Sequence, residues 1–90
     1  MTQTRELMIK NRLGLHARAA ALLVKTTNRF KSDVFIVKDG QRVNGKSIMG
    51  VMMLAAAKGS TIRVEAQGPD AAEVVADIER LIDDRFGEGE

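Results

Sequence analysis

Hydrophobic positions change period along the chain, and the changes mark out its elements. From about Thr4 to Lys10, Leu7 and Ile9 share one face at period two, which predicts a strand. Asn11 to Leu15 contains Gly14 and reads as a loop. From Ala17 the spacing becomes helical, with Ala19, Leu22 or Leu23, Thr26 and Phe30 on one side. Val34 and Ile36 then alternate with Phe35 and Val37, and Asp39-Gly40 is the two-residue signal of a hairpin returning through Gln41 to Val43. A turn at Asn44-Gly45 leads to Ser47, which can cap a helix carrying Ile48, Val51, Met52, Leu54 and Ala55 and ending at Gly59. Val51, Leu54 and Ala55 are placed in the core, and Gly50 weakens this helix. Thr61 to Ala66 alternates Ile62, Val64 and Ala66 with Arg63 and Glu65, a half-buried strand. After Gly68-Pro69, Asp70 and Glu73 are spaced as an acidic variant of a capping box. Val74, Val75, Ile78, Leu81 and Ile82 follow at helical spacing.

The predicted order is βαββαβα. Helices covering one face of a small, four-stranded, mostly antiparallel sheet are the natural two-layer solution for that order, an α+β fold, and the alternating strands leave the other face wet. Ninety residues suit a single domain, 1–90, with the Gly87–Glu90 tail expected to fray. Aromatic residues are limited to Phe30, Phe35 and Phe86, so aliphatic side chains must fill the core and little surface is left for stacking on bases. The absence of Cys excludes disulfides, thiolate nucleophiles and cysteine-ligated metals, and a single His excludes multi-histidine metal sites. No nucleotide-binding glycine loop and no nucleophile–base pair stand out, so neither a cofactor nor a self-contained enzyme is expected. The nearly apolar run from Ile48 to Ala57 is too short to span a bilayer, and MTQTRELMIK lacks the apolar core of a signal peptide. The expected location is therefore the cytoplasm, without membrane insertion.

Charge changes sign along the chain. Residues 1–63 carry twelve Lys/Arg against three acids, a net +9, whereas residues 64–90 carry two against nine, a net −7. Either these charges only solvate exposed faces, or the basic stretch forms a face for an acidic partner or a phosphate-bearing ligand.

Candidate chemistry centres on the one histidine, in Gly14-Leu15-His16-Ala17-Arg18, where the loop becomes the first helix. A helix start exposes unpaired amides and the positive end of the dipole, so His16 faces an anion site, and phosphate is the obvious anion. The same positive end favours a neutral, nucleophilic imidazole. Arg18 offers a planar fork to phosphoryl oxygens. Together these residues describe a phosphoryl acceptor; the bland alternative is a histidine that merely caps a helix.

Residues 14–20, Gly-Leu-His-Ala-Arg-Ala-Ala, closely resemble the active-site signature of HPr, the histidine-containing phosphocarrier of the bacterial phosphoenolpyruvate-dependent sugar phosphotransferase system. Lys46-Ser47-Ile48-Met49-Gly50-Val51-Met52 resembles the regulatory-serine region of that family, and the last helix agrees in position and character. The resemblance implies an open-faced β-sandwich. It also implies that His16 takes phosphate on Nδ1 from phosphorylated enzyme I and passes it to enzyme IIA proteins, with Arg18 assisting. Residues matching Ile48, Met49 and Met52 contact those partners in the family, and Arg18, Lys25 and Lys46 would supply positive charge toward them. Ser47 has two compatible roles, helix cap and target of the HPr kinase/phosphorylase, whose phosphate would disturb docking and be read by a catabolite-control transcription factor. A carrier meeting several partners through one face is most simply a monomer.

One departure from the family is Ala19, where HPr proteins usually have proline; alanine fits a helix and adds an amide donor but puts the rigidity of the turn in question. A regulatory or nitrogen-branch paralogue is therefore an alternative. A small basic nucleic-acid-binding domain is a further one, but it calls for aromatics on the central strands, and Phe35 stands alone there.

Overall fold

A computed structural model describes residues 1–90. Strands β1 (Thr2–Met8), β2 (Asp33–Lys38), β3 (Gln41–Asn44) and β4 (Thr61–Gln67) form one fully antiparallel sheet in the order β1-β4-β2-β3. Helices α1 (Ala17–Thr27), α2 (Ile48–Met53) and α3 (Ala71–Asp83) complete the fold, followed by a 3-10 turn at Arg85–Gly87. The last strand in sequence, β4, lies between the first two, with Leu7 opposite Ile62 and Ile36 opposite Val64.

Alternation sets the two layers. Leu7, Val34, Ile36, Ile62, Val64 and Ala66 point toward the helices and join a core of 21 buried residues that includes Leu23, Val51, Val74, Ile78 and Phe86. The opposite face carries polar side chains: Glu65 accepts hydrogen bonds from Arg42 and Arg63, and the Arg42 guanidinium lies 3.6 Å above the Phe35 ring. This is the predicted α+β architecture with one wet sheet face.

Several boundaries differ from expectation. Strand β1 ends at Met8, and Ile9 is buried just beyond it, where its backbone bonds Gly59 and Ser60 across the sheet end. Helix α1 stops at Thr27, whose hydroxyl turns back to the Val24 carbonyl and across to that of Gly45, so Phe30 falls in the following turn. Helix α2 ends at Met53; Ala55 takes a left-handed backbone at φ 48° and is exposed, and Ala56 enters the core in its place. At α3 no capping box forms, because the Asp70 carboxylate instead accepts from the Lys31 and Ser32 amides and the Ser32 hydroxyl. Those bonds hold its pKa down from 3.8 to about 2, chiefly through the Ser32 hydroxyl.

The two charged halves largely find each other. Arg5 pairs with Glu79, Lys10 with Asp83, Arg12 with Glu90, Arg29 with Asp77 and Arg42 with Glu65. The basic stretch is therefore not one free face, although Arg18, Lys25, Lys31, Lys46 and Lys58 keep no ion-pair partner.

Candidate functional site: a histidine at a helix start

The loop Ile9–Leu15 is shaped by backbone contacts before any side chain is considered. Ile9 exchanges hydrogen bonds with Ser60 and Gly59, and the Leu15 amide donates to the Ala56 carbonyl at 2.8 Å. Between them Gly14 turns at φ +69°, so close to Ala56 that no side chain fits. Buried Asn11 closes the loop by donating from Nδ2 to the Gly14 carbonyl at 2.8 Å. The chain thus arrives at His16 on a fixed path.

His16 occupies the N-cap position of α1, and its carbonyl accepts from the Ala20 amide. Its side chain makes no capping bond, so a cap with no other use is not what the imidazole does. The ring is 28% exposed, and its Nε2 meets the Glu88 carboxylate in a hydrogen bond. A carboxylate can only accept, so Nε2 carries the proton and, in the neutral ring, Nδ1 carries the lone pair. Nδ1 has no protein partner and is not sealed from solvent. Next to it, the first amides of α1 lack intrahelical acceptors and present the positive helix end. Ala19, the departure from the usual proline, is buried within that first turn.

Glu88 is itself held. Its side chain is only 10% exposed, and Asn11 Nδ2 donates to Oε1 at 3.1 Å. Hydrogen bonds from His16 and then Asn11, with a smaller contribution from the Arg18 charge, keep its carboxyl below the usual glutamate range. The tail expected to fray is therefore in place: buried Phe86 anchors it, and the Arg12 amide donates to the Glu90 carbonyl at 2.9 Å. The result is a pocket of about 320 Å³ lined by Arg12, Leu13, His16, Arg18, Glu88 and Glu90. A larger hollow of about 650 Å³ lies away from His16, and on its wall Arg29 and Arg80 share the Asp77 carboxylate.

The remaining candidates divide in two groups. Arg18 is exposed and unpaired at the pocket, and Lys25 is exposed near the end of α1. Lys46 is half-buried, its ammonium donating to the Phe30 carbonyl at 2.9 Å, so part of its role is structural. Ser47 caps α2, its Oγ accepting from the Gly50 amide at 3.1 Å. Ile48, Met49 and Met52 are exposed on that helix, Met49 to 73%, together with Met53, while Val51 is fully buried. Helix α2 packs on α1 and leads into the segment whose Ala56 carbonyl accepts from the Leu15 amide, next to His16 in sequence.

Residues 3–84 match the family model PTS-HPr, described as the PTS HPr component phosphorylation site. The chain belongs to the HPr family. The phosphocarrier protein HPr of Neisseria meningitidis serogroup A is 55% identical over 82 residues, 91% of this chain and 92% of that protein. The HPr-like protein Crh of Bacillus subtilis is 51% identical over 67 residues, 74% and 79% of the two chains. Among solved structures, HPr-C-His from Thermoanaerobacter tengcongensis superposes with a TM-score of 0.92 at 42% identity, covering 96% of this chain and 97% of that one. An HPr dimer from the same organism superposes at 0.78 with 44% identity, covering 91% and 94%.

In this HPr-family chain the residues that sequence reasoning missed are Asn11 and Glu88. Asn11 carried no pattern beyond opening a loop, and Glu88 sits in a Gly-Glu-Gly-Glu tail that looks unstructured by composition. The available signal was Phe86, a large apolar residue too close to the end to be spent on a frayed segment.

Proposed function

We propose that this protein is a stoichiometric phosphoryl carrier in a phosphotransferase system, with His16 as the acceptor. The observation that carries the reading is the orientation of the imidazole: Nε2 is tied to Glu88 and Nδ1 is left open beside the start of α1. Phosphorylated enzyme I would present its phosphoryl group to Nδ1, and enzyme IIA proteins would later remove it. Arg18, free of other ion pairs, is placed to fork onto phosphoryl oxygens, and the helix-end amides favour the added negative charge. Partner proteins supply the rest of the chemistry on either side, so this chain acts as a cosubstrate. Such exchanges belong to the cytoplasm and suit a monomer, whose exposed Ile48, Met49 and Met52 give an adaptable apolar surface beside the site.

Ser47 is the regulatory residue in this reading. Its cap geometry puts the hydroxyl oxygen at the start of α2, next to that apolar surface. A phosphate added there by an HPr kinase/phosphorylase would place about −2 charge on the docking side without refolding the domain.

The test is incubation with phosphoenolpyruvate and enzyme I, followed by intact mass and acid lability beside a His16→Ala control. One acid-labile phosphate that vanishes in the control is the expected result. No transfer under conditions that fully label a standard HPr would overturn the carrier reading. It would favour instead a regulatory relative, the reading supported by Ala19 and by the similarity to Crh.

A further inference from the structure

We propose that Glu88 is a positioning residue for His16, holding a proton on Nε2 and balancing the charge that the ring acquires when Nδ1 is phosphorylated. The inference rests on the carrier reading and concerns a residue outside both sequence motifs.

Three observations place Glu88 in this role. Its carboxylate meets Nε2 directly, on the side of the ring opposite the open Nδ1. It is fixed from behind by Asn11, a fully buried residue whose amide also closes the His16 loop through the Gly14 carbonyl. The backbone that delivers it is unusual: Arg85 and Phe86 both adopt left-handed φ angles, 52° and 53°, and the Phe86 side chain is buried in the core. Left-handed backbone at residues that carry side chains persists only where the surrounding structure enforces it.

The transfer step defines what the contact does. As the Nδ1 lone pair forms a bond to phosphorus, the bond from phosphorus to the donor breaks and its electron pair leaves with the donor. The ring keeps its Nε2 proton and becomes positively charged, facing the Glu88 carboxylate at hydrogen-bond distance. Discharge to the next acceptor reverses the sequence: the P–N bond breaks and its electron pair returns to Nδ1. A carboxylate already in position stabilises the charged ring without reorganisation, and a protonated ring is the better leaving group when the phosphoryl group departs. The arrangement has the logic of an acid–histidine pair in which the acid orients the ring and offsets its charge.

The experiment compares wild type with E88A, E88Q and E88D, each checked for an unchanged urea midpoint. Labelling rates are measured with phosphoenolpyruvate and catalytic enzyme I, and the isolated phosphorylated proteins are then followed for loss of phosphate at neutral pH. We expect E88A and E88Q to be labelled about tenfold more slowly, E88D to recover part of the rate, and phospho-His16 to live several-fold longer in E88Q than in wild type. A tail that only props the loop would leave the phosphohistidine lifetime unmoved and would tolerate the isosteric E88Q. Wild-type labelling with unchanged rates and lifetimes in all three variants overturns the role of Glu88 alone. Failure to label wild type overturns the carrier reading and this inference with it.

Discussion

Replacing Gly14 by alanine tests how tightly the His16 loop is seated. A Cβ at Gly14 would stand 2.4 Å from the Ala56 carbonyl oxygen and 2.9 Å from the Ala57 Cα. Both neighbours are backbone, so no rotamer change relieves the clash and the loop must withdraw from Ala56. Withdrawal breaks or stretches the 2.8 Å bond from the Leu15 amide to that same carbonyl, about 1 kcal/mol net and more if the amide stays buried. A left-handed backbone adds about 1–2 kcal/mol for any residue with a side chain. Together the cost is about 3 kcal/mol, a large share of the 5–15 kcal/mol typical of a domain. Gly40 supplies the control, because its φ is +80° and nothing lies within 4 Å of an added Cβ. Gly40→Ala therefore bears only the backbone cost. In equilibrium urea unfolding with a slope of about 2 kcal/mol per molar, the midpoint should fall by about 1.5 M for Gly14→Ala and by about 0.5–1 M for Gly40→Ala. Equal losses in the two variants would refute the reasoning, since the difference isolates contact with Ala56 and Ala57.

Three further outcomes follow from the same structure. Asp70 has its pKa lowered from 3.8 to about 2, so it contributes stability that is complete above pH 3.8 and lost as pH falls through 2. Urea midpoints measured from pH 5 to 2 should therefore fall more steeply for wild type than for Asp70→Asn, and parallel curves would remove Asp70 from that acid sensitivity. Ser47→Ala deletes the cap bond to Gly50 and should cost about 1 kcal/mol, read as a midpoint loss of about 0.5 M; no loss would mean that α2 does not depend on its cap. Phe86→Ala removes a buried ring and should cost about 3–5 kcal/mol while releasing the tail, seen as a changed His16 imidazole resonance; a stable variant with an unchanged resonance would show that the tail is held without its anchor.

How far the fold was legible depended on how local its causes are. The strands β2 and β4 and the helix α3 carry strict periods and short turn signals, and they appear where the pattern placed them. The end of α2 did not, because nothing in Leu54-Ala55-Ala56 distinguishes the alanine that enters the core from the one that turns left-handed. Asp70 was assigned to its own helix by spacing alone, yet Ser32, 38 residues earlier, offers it a hydroxyl and an amide that a local motif cannot foresee. At the site, His16 and Arg18 were visible because a helix start is a sequence feature. Glu88 and Asn11 were hidden because their partners lie 72 and 77 residues away. The charge reversal along the chain was visible too, but only the fold turned it into pairs such as Arg5–Glu79 and Lys10–Asp83.

The strand order has a consequence for how the molecule is made. Strand β4 fills the slot between β1 and β2, so β1 has no partner until residues 61–67 exist. At about 5–20 residues per second, the growing chain holds Leu7 and Ile9 unpaired for about 3–12 s, with only the β2–β3 hairpin able to form locally. Beyond that hairpin, the sheet therefore closes only when β4 arrives and pairs with β1 and β2. During synthesis the apolar side chains of β1 and β2 are the ones a nascent-chain chaperone would meet, and any pause in translation before residue 61 would prolong that exposure.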